Sequence, residues 1–228
     1  MVHLFLLDVA ALKNDDLFCH WYFQLSSVRQ DSVDQCPARS DKSLSLGVGI
    51  LLDYGLKKIY GLRERDMQYE IGAFLKPCFT NAPYIQFNAS HEGSKVLLAL
   101  SDHPVGCDID SGVPIEQEIV LHRGLLHPNE IQDYLAHATK EGQDAVFSRY
   151  WSLKESFAKA VGPGIYLGMD TFWFDPDGDT PDVHHNFHFL RSEWHFRTFA
   201  VPPTYYVSVC SGEDCSSLEL ETVDFSML

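Results

Sequence analysis

Long apolar runs are missing from this sequence of 228 residues, and Asp8 interrupts the apolar opening MVHLFLLDVAAL. We find no segment long enough to span a bilayer as a helix. The opening also has no basic residue after the first Met, so we interpret it as a first β-strand rather than a signal peptide. We therefore expect a cytoplasmic protein that does not associate with membranes.

Paired cysteines and positive charge are also scarce. The six cysteines include no CxxC pair, which argues against a disulfide framework and against a structural zinc site. The sequence has 17 Lys and Arg residues and 32 Asp and Glu residues, so the formal net charge is −15. Such an acidic chain is not expected to bind nucleic acid. His184, His185 and His188 follow no metal-ligand pattern, and we expect no metal there.

The charge is unevenly distributed along the chain. Residues 1–106 carry 10 Lys/Arg and 12 Asp/Glu, whereas residues 107–228 carry 7 and 20. An anionic ligand should therefore take most of its positive contacts from the first half, together with Lys154 and Lys159 from the second.

Among the features that are present, residues 151–164 (WSLKESFAKAVGPG) are the most informative. Glu155 and Lys159 stand one helical turn apart, so they share a face of a predicted helix. Gly162 and the proline that follows it are typical of a helix end. Taken alone, this Glu–Lys pair is equally well explained as a solvated helix face.

A second stretch, residues 104–110 (PVGCDID), favours a function for that pair. Because side chains alternate along a strand, Asp108 and Asp110 should lie on one face. Two neighbouring carboxylates repel each other unless a cation lies between them, and oxygen ligands suit Mg²⁺. Glu155 would supply a third carboxylate, so the sequence predicts a magnesium site formed by these three residues.

The order of predicted elements indicates an α+β fold. The apolar pattern predicts a strand or a buried segment at 2–7 and at 19–25. It predicts strands at 84–91, 95–101, 105–110, 170–175, 187–190, 194–199 and 205–210. Helices are predicted over 43–60 and between 115 and 161, and the acidic tail from 211 is expected to be an edge or a loose end. The strands between 84 and 110 are predicted to form an antiparallel meander that brings His91 near Asp108.

From this repeated order of elements we predict two similar α+β halves, residues 1–104 and 105–228, that pack as a pseudo-dimer. The active site should lie in the groove between them. Because such an internal pair supplies its own interface, we expect a monomer.

Three ordered motifs, FNASH (87–91), VGCDID (105–110) and WSLKESFAKAVGPG (151–164), resemble the signature motifs of the 4′-phosphopantetheinyl transferases. The resemblance is to the larger, surfactin-synthetase-activating (Sfp-like) type, and it extends over about residues 76–174. It implies a Mg²⁺-dependent enzyme that transfers the 4′-phosphopantetheine arm of coenzyme A to a serine of an apo acyl or peptidyl carrier protein. The by-product would be 3′,5′-ADP. The first half would bind the nucleotide, and the second would carry the metal and the catalytic helix.

The resemblance also implies roles for individual residues. The metal would be held by Asp108, Asp110 and Glu155. The phosphates of coenzyme A would be held by Ser90, His91 and Lys159. The nucleotide site would be lined by Lys76 and Pro77, and the nearest candidates for its 3′-phosphate are Arg39 and Lys42.

The chemistry expected of such a site is attack of a serine hydroxyl on the β-phosphorus of coenzyme A. Glu155, directly or through a water molecule, is the candidate base for the serine proton. Lys159 and His91 are expected to neutralise the charge that develops on the phosphate oxygens.

Two positions depart from the family pattern and leave alternatives open. Asp110 is shorter than the usual Glu, and Leu75 replaces the glycine of a Gly-Lys-Pro motif. One alternative is a non-catalytic module that binds coenzyme A or a carrier protein. Another is a different Mg²⁺-dependent phosphotransferase that acts on a nucleotide. A purely structural α+β domain is disfavoured because three motifs occur in order.

Overall fold

The structure is a computed structural model that describes residues 1–72, 74, 76–112, 114–175, 178–188, 190 and 193–228. Leu75 lies outside the described residues. The helices are α1 Asp15–Tyr22, α2 Ser27–Asp34, α3 Arg39–Tyr60, α4 Gln117–His122, α5 Pro128–Ala136 and α6 Lys140–Val161. The strands are β1 His3–Asp8, β2 Tyr69–Ile71, β3 Pro77–Phe79, β4 Gln86–Glu92, β5 Lys95–Ser101, β6 Val105–Asp110, β7 Phe172–Phe174, β8 Val183–His185, β9 His195–Val201, β10 Tyr205–Ser211 and β11 Leu220–Val223.

Two larger sheets organise the chain. A four-stranded sheet has the order β11–β1–β5–β4, and a three-stranded sheet has the order β6–β10–β9. The strand pairs β2–β3 and β7–β8 form two small additional sheets. Strand β11 pairs in parallel with β1, so the end of the chain is part of the sheet that the first half forms. This pairing joins residues from the two sides of the predicted boundary between residues 104 and 105. Of the two alternatives for this segment, an edge or a loose end, the loose end is wrong.

The two sheets pack face to face between the two longest helices. In β1, Phe5 and Leu7 belong to the core beneath α3, whereas Leu4 and Leu6 pack against the second sheet. The odd-numbered residues of β6 pack on the same side as Leu4 and Leu6, and α6 covers the opposite face. These layers confirm the predicted mixed α+β class. Within the described residues, no helix is both long and apolar enough to cross a membrane.

Helix α3 begins earlier than the sequence predicts. It starts at Arg39, so Arg39 and Lys42 lie in its first turn, and it ends at Tyr60, followed by the capping residue Gly61 with a φ of 69°. Glycine adopts this left-handed conformation without the steric cost that a side chain would bring.

Two further predictions are wrong in ways that have physical causes. Residues 19–25 were expected to form a strand or a buried segment, but the first four belong to helix α1, and Cys19, His20 and Phe23 are exposed. Asn14 caps this helix by accepting a hydrogen bond from the Leu17 N–H at 2.9 Å. The predicted meander ends after one hairpin, since β4 pairs with β5 whereas β6 pairs with β10. Strand β6 belongs to the second sheet and is buried on both faces, between the first sheet and α6.

Candidate active site

The site forms where helix α6 crosses strand β6. At Gly106, a Cβ atom would lie 2.1 Å from the carbonyl oxygen of Ser156 and 2.4 Å from the backbone nitrogen of Ala160. No side chain fits there, so glycine allows the helix to rest directly on the strand. This contact brings the acidic face of β6 close to the last turns of α6.

A stripe of small residues extends this contact along the helix. Ser148, Ser152, Ser156 and Ala160 follow one another at intervals of four, so they share one helix face. All four are buried, and the Ser152 hydroxyl lies 2.7 Å from that of Ser208 on β10. The stripe fixes the rotation of α6 about its axis and turns Glu155 and Lys159 toward one edge of the contact.

Lys159 lies between two of the predicted metal ligands. Its Nζ is 2.6 Å from Oδ1 of Asp108 and 3.7 Å from Oε2 of Glu155. The Ser90 hydroxyl donates to the same Asp108 oxygen at 2.7 Å and accepts from Lys159 at 3.3 Å. The structure thus brings together Ser90, Asp108, Glu155 and Lys159, which the sequence places in three separate motifs.

The electrostatics of this cluster reflect burial of like charges around one cation. Burial raises the pKa of Asp108, against the opposing effect of Lys159, and Asp110 raises it further. Burial also raises the pKa of Glu155. For Lys159, burial alone would lower the pKa, but the neighbouring Asp108 and Glu155 carboxylates outweigh burial and raise it. Lys159 is therefore held as an ammonium.

Asp110 is placed at the end of β6, where its Oδ1 accepts a hydrogen bond from the Gly112 N–H at 3.0 Å. The carboxylates of the three predicted metal ligands do not all lie within 4.8 Å of one another. Among the described residues, only Asp102, His103 and Glu213, at the surface, meet that criterion.

A magnesium ion nevertheless fits the donor set. Asp108, Asp110 and Glu155 offer only carboxylate oxygens, the ligands that Mg²⁺ prefers. Among the described residues, Lys159 is the one cation within 4.0 Å of Asp108 and Glu155. One positive charge therefore faces three carboxylates, and the group keeps an excess of negative charge.

Strand β4 reaches this cluster through side chains rather than through a backbone ladder. Oδ1 of Asn88 accepts from the Cys107 N–H at 2.9 Å, and the Cys107 thiol donates to the Asn88 carbonyl at 3.2 Å. Farther along, the Ser111 hydroxyl donates to Glu92 at 2.6 Å. These bonds fix Ser90 against Asp108. Sequence reasoning overlooked Asn88, although it lies inside the FNASH motif.

His91 does not reach Asp108 as the meander predicted. Because neighbouring side chains on a strand point to opposite faces, Ser90 faces the cluster and His91 is exposed. Its ring makes no hydrogen bond within the described part of the chain. A role for His91 on coenzyme A stays a prediction.

Lys76 is directed toward protein backbone. Its Nζ donates to the carbonyl of Val105 at 2.9 Å and to that of Lys159 at 3.1 Å. Burial lowers its pKa. Pro77, the next residue, is exposed at the start of β3.

Arg39 and Lys42 lie in the first turn of α3, and Arg39 faces the β4–β5 hairpin turn. Arg39 donates to Asp15 at 2.8 Å and stacks 3.6 Å above the Phe18 ring, and it lines a cavity of about 380 Å³ with Lys13, Gly93 and Ser94. Lys42 lies 4.0 Å from Asp34. Lys13 was overlooked because it lies far from the motifs in sequence.

Lys154 is not available to an anionic ligand, and that prediction is wrong. Its side chain and that of Glu130 are both 0% exposed, and their charged atoms lie 2.8 Å apart. Lys154 also donates to the carbonyls of Met169 and Phe172. Since Lys154 and Lys159 are five positions apart, they project from different sides of α6.

Comparisons with known proteins identify the family of the chain. The model of the 4′-phosphopantetheinyl transferase superfamily (ACPS) matches residues 104–210. The chain is 30% identical over 196 residues to 4′-phosphopantetheinyl transferase Sfp of Bacillus subtilis strain 168, with 83% of each chain covered. It is 29% identical over 213 residues to 4′-phosphopantetheinyl transferase ffp of Bacillus subtilis, covering 90% of this chain and 91% of the relative.

A solved structure is also similar in part. The holo-(acyl-carrier-protein) synthase of Bacillus anthracis, in complex with CoA (3′,5′-ADP), is 18% identical with a TM-score of 0.39. The similarity covers 47% of this chain and 93% of the synthase. On the strength of the sequence relatives, which span most of its length, this chain belongs to the 4′-phosphopantetheinyl transferase superfamily.

Proposed function

We propose that this 4′-phosphopantetheinyl transferase performs its chemistry at the crossing of β6 and α6. The reaction moves the 4′-phosphopantetheine arm of coenzyme A to a carrier protein. The observation that supports this location is the cluster of Ser90, Asp108, Glu155 and Lys159, with bonds of 2.6 and 2.7 Å converging on one Asp108 oxygen. Structural ion pairs are also found in cores, but this cluster is formed by the three ordered motifs.

Asp108, Asp110 and Glu155 are the residues that would hold Mg²⁺. When bound there, the ion would neutralise charge on the pyrophosphate of coenzyme A. Asp108 is the best-fixed of the three, because Ser90 and Lys159 both bond it and its side chain is 8% exposed. Asp110 is fixed by the Gly112 N–H.

Glu155 is suited to accept the proton of the attacking serine. Its side chain is 15% exposed, so it can be reached from solvent, and burial raises its pKa toward that of a useful base. The serine oxygen forms a bond to the β-phosphorus, and the bond from that phosphorus to the bridging oxygen breaks. The electron pair leaves with 3′,5′-ADP, while the serine proton moves to Glu155.

Lys159 is placed to neutralise negative charge on the phosphate oxygens. Its side chain is 25% exposed, more than either acid that it contacts, so a phosphate can approach it from solvent. A fixed positive charge in a partly buried site stabilises developing charge more than a solvated one does.

The nucleotide end of coenzyme A fits the cavity lined by Lys13 and Arg39. Ser90 and Gly93 are three residues apart, so the cluster and the cavity lie roughly 10 Å apart along β4 at the usual rise per strand residue. His91 lies exposed between them, where it can contact a phosphate. Lys42, on the same first turn of α3 as Arg39, is the second candidate for the 3′-phosphate.

The arrangement supports a pseudo-dimer of two halves with the active site in their groove. Each larger sheet is covered by one 22-residue helix, and Ser90 comes from the first half whereas Asp108 and Lys159 come from the second. We propose that the protein acts as a monomer on an apo acyl or peptidyl carrier protein in the cytoplasm. Size-exclusion chromatography with light scattering tests the monomer.

The proposal is tested by mass spectrometry of an apo carrier protein incubated with this enzyme, coenzyme A and Mg²⁺. We expect the carrier to gain the mass of one phosphopantetheine. Asp108→Asn should abolish loading while the far-ultraviolet circular dichroism spectrum stays that of the wild type. Asp31→Asn, a change of the same chemistry at an exposed position on α2, serves as the matched control.

Two results would contradict the proposal. Loading by Asp108→Asn at the wild-type rate would remove the cluster from the chemistry. Binding of coenzyme A or the carrier by the wild type without loading would favour the non-catalytic alternative.

A further inference from the structure

Lys76 hydrogen-bonds to the backbone of both β6 and α6, which are otherwise joined by packing and by the ion pair between Lys159 and Asp108. Its ammonium donates to the Val105 carbonyl at the start of β6 and to the Lys159 carbonyl in the last turn of α6. Gly106, next to Val105, is where the helix and the strand come closest. Lys76 therefore bonds both partners at their crossing.

The Lys159 carbonyl is free to accept this bond because of its place in the helix. The last four carbonyls of a helix have no intrahelical partner, and α6 ends at Val161. A cation at this end also interacts favourably with the helix dipole. The bond to Lys76 thus stabilises the end of α6 that carries the functional side chain of Lys159.

The partners of Lys76 are unusual for an ammonium that is largely removed from water. Within the described residues no carboxylate lies within ion-pair distance of Lys76, whereas Lys58 and Lys95 each contact one. A half-buried ammonium held only by carbonyls is costly to desolvate, so its two bonds must satisfy it where it lies. Their geometry then determines where the strand and the helix sit relative to each other.

We infer that Lys76 is a positioning residue, which holds the start of β6 and the end of α6 so that Asp108 stays within reach of Glu155 and Lys159. The inference rests on the proposed function and deepens it. It differs from the role in nucleotide binding that the sequence resemblance implies for Lys76. The two roles predict different losses when the ammonium is removed.

Lys76→Met is the variant that separates the two roles. A positioning role predicts that kcat falls at least about tenfold and that the Kd for Mn²⁺ rises about tenfold, the effect typical of losing a group that orients metal ligands. The Kd for 3′,5′-ADP, measured in EDTA, should change less than about twofold, because this probe reports the nucleotide cavity alone. A role in nucleotide binding predicts the reverse pattern.

Two further variants keep the test decisive. Lys76→Arg retains the charge and the donors, so it should restore at least part of kcat and of the Mn²⁺ affinity. Lys95→Met removes a lysine that contacts the exposed carboxylate of Asp8 and should leave all three quantities at wild-type values. If Lys76→Met does not fold, Lys76→Leu, which also lacks a donor for the two carbonyls, is measured in its place.

The outcomes separate this inference from the proposed function. Wild-type kcat and Mn²⁺ affinity in Lys76→Met, or in Lys76→Leu where that variant replaces it, would overturn the positioning role and leave the proposed function intact. A weakened Kd for 3′,5′-ADP with unchanged Mn²⁺ affinity would also overturn it, in favour of nucleotide binding. Failure of the wild type to load a carrier would count against the proposed function itself.

Discussion

Replacing Lys159 with methionine should tighten the binding of a divalent cation while it destroys catalysis. In the structure, the Lys159 ammonium lies 2.6 Å from Asp108 and 3.7 Å from Glu155. A cation that binds these carboxylates must take over the position between them and displace the ammonium from Asp108. Methionine keeps the length of the side chain but removes both the charge and the donor.

The magnitude follows from the bond that the cation must break. A hydrogen bond to a charged group contributes about 1.5–3 kcal/mol net, and each 1.4 kcal/mol is roughly a factor of ten in affinity. We therefore expect Lys159→Met to bind Mn²⁺ about 10- to 100-fold more tightly than the wild type in the absence of coenzyme A. Without a divalent cation the variant should be less stable than the wild type, because Asp108 and Glu155 then repel each other without compensation.

Mn²⁺ titration by electron paramagnetic resonance, and thermal unfolding in EDTA and in Mg²⁺, measure both effects without relying on activity. Lys58→Met is the matched control, since Lys58 also contacts a carboxylate at 2.6 Å but on the remote α3–β11 contact. It should leave the Mn²⁺ affinity unchanged. Equal or weaker Mn²⁺ binding by Lys159→Met would refute the reasoning and show that Lys159 does not compete with the cation.

Three further predictions concern the framework of the site. In Gly106→Ala the added carbon meets helix backbone at 2.1 Å. This overpacking should lower the free energy of unfolding by at least about 2 kcal/mol and reduce carrier loading. A variant that unfolds and loads the carrier like the wild type would contradict this. Lys154→Met should lower the free energy of unfolding, measured in urea, by about 3–5 kcal/mol because it leaves the fully buried Glu130 charge unpaired. The double variant Lys154→Met/Glu130→Gln should regain part of that stability. A stable single variant with weakened coenzyme A binding would instead restore Lys154 as a ligand contact. Burial raises the pKa of Glu221, but Lys58 and the hydrogen bond from Tyr54 outweigh burial and hold that pKa below its ordinary value of 4.5. These contacts therefore stabilise the fold above that pH, and their contribution is lost as the pH falls through the depressed value. The difference in Tm between the wild type and Glu221→Gln should therefore shrink on acidification, and a difference that is constant with pH would show that these contacts do not stabilise the fold.

The residue types of the site could be predicted from the sequence because they depend on local spacing. Asp108 and Asp110 share a strand face by alternation, and Glu155 and Lys159 share a helix face by the helical period, as the structure places them. The metal and substrate roles of these residues stay predictions, but their convergence is a property of the fold. Three ordered motifs identified the family before any contact was known.

The contacts that join the motifs could not be predicted from the spacing of residues in the sequence. Asn88 bonds Cys107 and Lys76 bonds Val105, and each pair is brought together only when two sheets and a helix have packed. The same limit explains the error at Lys154. It lies in the motif five positions before Lys159, and only the packing of α6 decides that this side of the helix faces the core.

The strand predicted over 19–25 failed for a related reason. Aromatic residues favour strands only on average, and here a capping side chain and the core beneath α3 provide a better place for the helix α1.

Alternation, helical period and motif order are properties of residues close in the sequence, and they were enough to predict the α+β class, the acidic strand face, the Glu–Lys helix face and the family. Packing was needed to establish that Ser90 rather than His91 meets Asp108, that Lys159 compensates the acids while Lys154 is buried with Glu130, and that the last strand returns to the first sheet. These outcomes depend on which surfaces pack against each other and on how burial makes an unpaired charge costly, and residues distant in sequence set both.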